Sequence, residues 1–149
     1  MKKIITLFSV ILSALILKAQ DPVSWAFTSK KLADKTFEIH MTATIQSGWH
    51  LYSQTQPEDA IAIPTGFTTT KNPLVELQGK VKEVGKMEKF EDKKLGISAH
   101  QYSDRVDFVQ VVKLKANAKT NVSGIVEFQT CNDEKCLPPK KINFSVAIK

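Results

Sequence analysis

From Thr36 to Gly48 the chain reads TFEIHMTATIQSG, apolar at every second position. Phe37, Ile39, Met41, Ala43 and Ile45 fall on one face, and Thr36, Glu38, His40, Thr42 and Thr44 on the other. This is the signature of a half-buried strand, closed here by a Ser47-Gly48 turn. The same period recurs along the chain. SWAFTSK alternates Trp25 and Phe27, with LADKT as a hairpin connection to the strand just described. RVDFVQVVKLK places Val106, Phe108, Val112 and Leu114 inward, with Gln110 as a polar interruption. NVSGIVEFQT points Val122, Val126 and Phe128 inward, and KINFSVAIK does the same with Ile142, Phe144, Val146 and Ile148. Shorter candidates lie at Gly66–Thr70, Leu74–Gln78 and Lys80–Met87. Turn signals recur about every ten residues, and no long stretch carries a helical stripe. The pattern predicts one all-β antiparallel sandwich of about eight strands.

The first residues stand apart from this pattern. MKKIITLFSVILSALILKAQ has two lysines, an apolar run from Ile4 to Leu17 and a small residue at Ala19. This is the layout of a secretory signal peptide, too short for a comfortable membrane span. The expected organisation is therefore a signal peptide over residues 1–19 and one domain over 20–149. Of the formal charge of +6, Lys2, Lys3 and Lys18 supply three units. The remaining lysines alternate with acids, as in KVKEVGKMEKFEDKK, which describes a solvated face. No basic block is interleaved with aromatics, so nucleic acid is not the expected partner.

Export changes how the cysteines read. The only two cysteines stand in TCNDEKCLPPKK, at positions 131 and 136. Outside the cytoplasm such a pair is a structural disulfide or a redox pair. Structural zinc calls for four ligands, and His40, His50 and His100 show no ligand spacing, so no metal site is expected. The strand pattern puts Cys131 at the end of the penultimate strand and Cys136 just before the last, on an exposed loop. A staple across so short a loop contributes only about 2 kcal/mol. Lys135 favours a thiolate at Cys136, whereas Asp133 and Glu134 oppose it. On spacing alone both readings stay open.

A resemblance bears on the choice. TCNDEKCLPPKKINFSVAI resembles the end of the amino-terminal domain of DsbD, the bacterial thiol–disulfide interchange protein. IQSGWHLYSQTQP is similar to that family's strand-end motif, and FEDKKLGISAHQYSDRV resembles its acidic cap-loop segment and the strand after it. The resemblance implies an immunoglobulin-like fold and a periplasmic electron relay that uses its cysteine pair and no cofactor. It implies that Cys136 forms mixed disulfides with thioredoxin-like partners and that Cys131 is the resolving thiol. Tyr52 matches a tyrosine near the family's cysteines, His50 stands where the family often has another, and Asp92 matches an acid that assists proton movement. Trp49 reads as core or rim packing.

Two departures follow from the same alignment. The phenylalanine that shields the family's disulfide aligns with Lys94, so Phe90 or Leu95 is the expected substitute, with Gly96 as a hinge. The chain also ends at Lys149, without a membrane domain or a thioredoxin-like domain. The expectation is that donor and acceptor are separate proteins, thioredoxin-like proteins of the periplasm or a membrane electron donor, and that no small-molecule ligand is involved. The competing reading is a binding or assembly module of the same fold with an inert disulfide.

Overall fold

The computed structural model describes residues 21–149, so the expected signal peptide lies outside the described residues. The expected immunoglobulin-like sandwich is present, built from nine strands in two antiparallel sheets, with no helix among the described residues. The strands are β1 (Val23–Ala33), β2 (Thr36–Ile45), β3 (His50–Tyr52), β4 (Gly66–Thr69), β5 (Val75–Asp92), β6 (Ile97–Leu114), β7 (Thr120–Phe128), β8 (Thr130–Cys131) and β9 (Lys140–Ile148). One sheet runs β1-β2-β6-β3-β8, with β5 on the other side of β6; the second runs β4-β7-β9.

The period-two residues meet between the sheets. Ile39, Met41, Val106, Phe108 and Val112 from one sheet and Val126, Phe128 and Ile148 from the other are almost fully buried in one core. Trp25 lies across this core against Phe27, Phe67, Phe108 and Phe128. Ser29 of β1 donates to the carbonyl of Ala147 in β9 at 2.8 Å, tying the two sheets along one side. In the second sheet, a Cβ on Gly124 would come within 2.4 Å of the Thr68 carbonyl and 2.8 Å of the Phe144 ring. Only glycine lets the sheet pass so close to that ring.

Two strands differ from the sequence pattern. The candidates Leu74–Gln78 and Lys80–Met87 are parts of one 18-residue strand, β5, which continues to Asp92. Its register against β6 shifts twice, between Gln78 and Lys82 and between Gly85 and Met87. Gly79 sits in the first irregularity with φ 69°. The Gln110 side chain accounts for that site: its amide donates to the Gln78 carbonyl at 3.2 Å and the Val111 carbonyl at 2.8 Å. The polar interruption in the β6 pattern therefore satisfies carbonyls left by a bulge.

The second difference lies at Cys131. It does not lie on the long strand that carries Val122, Val126 and Phe128. β7 stops at Phe128, the chain crosses to the other sheet, and Thr130-Cys131 form a separate two-residue strand against β3.

Candidate functional site

The crossing that carries Cys131 is held by side chains. Gln129 accepts from the Ile63 amide at 3.0 Å and donates to the Leu137 carbonyl at 3.2 Å. After Cys131 the chain turns on Asn132, whose Oδ1 accepts from the amides of Glu134 (3.0 Å) and Lys135 (2.8 Å). The Asn132 amide donates to the Lys135 carbonyl at 2.9 Å, and Leu137 returns to Thr130 at 2.9 Å. This turn brings Cys131 and Cys136 opposite each other as a bridged pair joined by a disulfide.

Pairing register decides which side chains surround the disulfide. His50 stands opposite Cys131, Tyr52 opposite Gln101, Gln101 opposite Glu88, Ala99 opposite Phe90, and Ile97 opposite Asp92. Directly opposed residues share a sheet face, as do residues two apart. All of these side chains therefore lie on one face. Their neighbours Leu51 and Tyr102 point the other way, into the main core. The disulfide thus sits on the outer face of the six-stranded sheet, where Tyr52, Ala99 and Cys131 form a small cluster separate from the main core, with Ala62 against it.

The result is a cleft of about 520 Å³. Its floor holds Cys131, Tyr52, Ala99 and Gln101. One wall is the β5–β6 hairpin with Phe90, Asp92, Leu95 and Ile97, and the other is Ile61-Ala62 from the segment after β3. Cys131 is 4% exposed, whereas Cys136 is exposed at the rim. The Tyr52 phenol is pushed above its ordinary range by burial.

The structure brings Cys131, Cys136, His50, Tyr52, Asp92, Phe90 and Leu95 to this one cleft. The segment expected as a cap loop is the tip of the β5–β6 hairpin. Phe90 and Asp92 are in strand β5, and only residues 93–96 form the turn, with Gly96 at φ 64°. Asp92 Oδ1 accepts from the amides of Lys94 (2.9 Å) and Leu95 (3.1 Å), which fixes that turn. Lys94 is exposed, Phe90 is 45% exposed and Leu95 71%. Trp49 is partly buried against the main core.

Sequence reasoning passed over the second wall. Ile61 is 78% exposed at the cleft. The signal was an apolar run, AIAIP, inside an otherwise polar connection. It also missed Ile97, Ala99 and Gln101, although GISAHQYS carries their period of two. Among the described residues no cluster of three His, Cys, Asp or Glu side chains is arranged to hold a metal ion.

Comparison with known proteins places this geometry. No curated protein matches the chain in sequence. The fold is similar to that of the N-terminal periplasmic domain of ScsB from Proteus mirabilis (TM-score 0.56, 17% identity), over 90% of this chain and 49% of that one. The chain therefore spans about half the length of the ScsB structure. It is also similar to the Neisseria meningitidis DsbD N-terminal domain in its reduced form (TM-score 0.51, 15% identity), over 83% of this chain and 84% of that one. At these identities the likeness is one of fold. The sequence itself matches, over residues 18–148, the family described as thiol:disulfide interchange protein DsbD, N-terminal. With nearly its whole length covered by that match, and its two cysteines joined at the mouth of a cleft, the chain belongs to the family of DsbD N-terminal domains.

Proposed function

We propose that the domain is an exported thiol–disulfide relay that passes electrons between thioredoxin-like proteins through Cys131 and Cys136. The observation that carries this reading is the unequal exposure of the two sulfurs: Cys136 lies open at the rim and Cys131 is buried in the floor. Exchange proceeds by attack of a thiolate on one sulfur of a disulfide, and access decides which sulfur is attacked. A partner's thiolate attacks Cys136 Sγ, the S–S bond breaks, and its electron pair leaves on Cys131 Sγ. The partner's second thiolate then attacks its own sulfur in the mixed disulfide and releases Cys136. The partner is oxidised by two electrons and the pair is reduced. Running the same steps backwards reduces an acceptor.

Several features fit this reading. Ile61, Phe90 and Leu95 give the rim an apolar surface on which a partner can dock. The signal-peptide pattern of residues 1–19 and the family support a periplasmic location. Neither step asks for a cofactor.

The test is a non-reducing gel. Cys131→Ser leaves an exposed Cys136 and is expected to hold a lasting mixed disulfide with a thioredoxin-like protein that lacks its resolving cysteine. Cys136→Ser leaves a buried Cys131 and is expected to trap little. Equal trapping refutes the assignment of roles. No trapping by either, together with a reduction potential below about −300 mV, makes the bond structural and the domain a binding module.

A further inference from the structure

One arrangement on the cleft face is not used by the exchange of sulfurs itself. His50 of β3 stands directly opposite Cys131 of β8, so the two side chains are neighbours on the same face. Behind the imidazole, Ser103 Oγ lies 3.1 Å from His50 Nδ1, and the Ser103 hydroxyl donates to Glu88 Oε2 at 2.9 Å. A hydroxyl has one proton to give. Here it goes to the Glu88 carboxylate, so the contact with the imidazole is made with Nδ1–H as donor and Ser103 Oγ as acceptor. The carboxylate on β5 thereby sets the tautomer of a histidine on β3, through a serine on the strand between them. In the neutral ring the free lone pair is then on Nε2. That atom lies 4.0 Å from Asp133 Oδ1, on the loop between the two cysteines.

We propose that Glu88, Ser103 and His50 form an acid–base line for the buried thiol, with His50 exchanging a proton with Cys131 and the other two acting as positioning residues. This inference rests on the exchange reading above. When a partner thiolate attacks Cys136, the broken S–S bond leaves its electron pair on Cys131, a thiolate forming in a buried place where charge is costly. His50 in its imidazolium form gives its Nε2 proton to that sulfur and reverts to the neutral Nδ1–H form. In the reverse direction, Nε2 takes the proton of Cys131 as its sulfur attacks the mixed disulfide at Cys136. Water at the open cleft reloads the ring. The charged groups at His50 are Asp133 from the cysteine loop and Glu88 through Ser103, while Asp92 lines the same cleft from the hairpin tip; the cleft lining contains no lysine or arginine among the described residues. Within the cleft lining His50 is thus the one group that can become a cation beside Cys131; Lys135 lies on the exposed cysteine loop outside that lining. This orienting arrangement follows the general logic by which a carboxylate fixes the tautomer of a working histidine.

The experiment follows reduction of the intact domain by dithiothreitol across pH, with each rate divided by the thiolate concentration of the reagent. The natural protein is expected to show an inflection, the corrected rate falling with rising pH as the acid form of His50 is lost. His50→Gln is expected to remove it and to slow the reaction about tenfold on its acidic side, where the natural protein has the imidazolium proton to give. Ser103→Ala is expected to do the same and to move the ring proton from Nδ1 to Nε2, read directly from the nitrogen chemical shifts of the imidazole. Ser103→Thr, which keeps the hydroxyl, retains rate, inflection and tautomer; Glu88→Gln serves as a second probe should Ser103→Ala fail to fold. Unchanged rates, profile and tautomer in His50→Gln and Ser103→Ala overturn the inference. In that outcome Cys131→Ser still traps a thioredoxin-like partner if the exchange reading holds, so the two failures are told apart.

Discussion

The two tyrosines lie on opposite faces of the same sheet and are held neutral by different means. Tyr52 faces the cleft, and burial pushes its phenol up. Tyr102 faces the core, where burial and then a 2.5 Å hydrogen bond to Glu83 Oε2 push it well above the ordinary phenol range. The same carboxylate accepts from Ser53 Oγ at 2.8 Å and the Gln54 amide at 2.7 Å, so one acid ties β5 and β6 to the segment that leads to the Ile61 wall. A phenol whose folded pKa is raised keeps its proton where the unfolded chain loses it. Its contribution is therefore complete below the unfolded value, about 10, and is lost as pH rises beyond it. The expected result is that resistance to urea falls steeply above about pH 10. In Tyr102→Phe that fall is shallower, while stability at neutral pH drops by about 1 kcal/mol for the lost hydrogen bond. Urea unfolding at neutral and alkaline pH checks both; an identical alkaline slope in the two proteins contradicts the assignment.

At the scale of the element, the β5–β6 hairpin does two jobs. Among the described residues no strand pairs with the outer edge of β5, and its lysines and register shifts blunt that edge against pairing with other chains. At its tip the hairpin lines the cleft of the disulfide with Phe90 and Leu95. If this tip is the cover, Phe90→Ala or Leu95→Ala speeds reduction by glutathione about twofold to tenfold, since access changes while the thiols do not. Unchanged rates in both variants dismiss the cover without touching the relay. The strands that bury one face were legible because burial writes itself as alternation: Phe37 to Ile45 and Phe144 to Ile148 behave as their pattern says. β5 was not legible as one strand, because an edge strand with lysines on both sides of a bulge buries too little to leave a pattern. The sheet change at Gln129 was hidden as well, since a strand of two residues has no period. The cysteines, His50 and Tyr52 could be singled out from local motifs. Ser103 and Glu88 could not, because what joins them to the site is pairing between distant segments, and the apolar run holding Ile61 gave no sign of where that connection folds.

For the whole molecule, the question is what the disulfide holds together. The bond links residues five apart in sequence. Loop-closure entropy for so small a ring amounts to about 2 kcal/mol, against a total stability of about 5–15 kcal/mol for a typical domain. The ring is moreover closed without it: Asn132 holds the turn through Glu134 and Lys135, Leu137 returns to Thr130, and Thr130-Cys131 pair with β3. The main core lies on the other face of the sheet and includes neither cysteine. Reduction thus removes a bond from a region already fixed by hydrogen bonds, and leaves the packed interior intact. The reduced domain is expected to keep its β-sheet circular dichroism at room temperature and to unfold in urea at a midpoint lowered by no more than that small difference implies. An electron relay needs this property, because its two oxidation states must both be folded and must differ little in free energy to be passed in either direction. Loss of the sheet signal on mild reduction contradicts it and makes Cys131–Cys136 a staple.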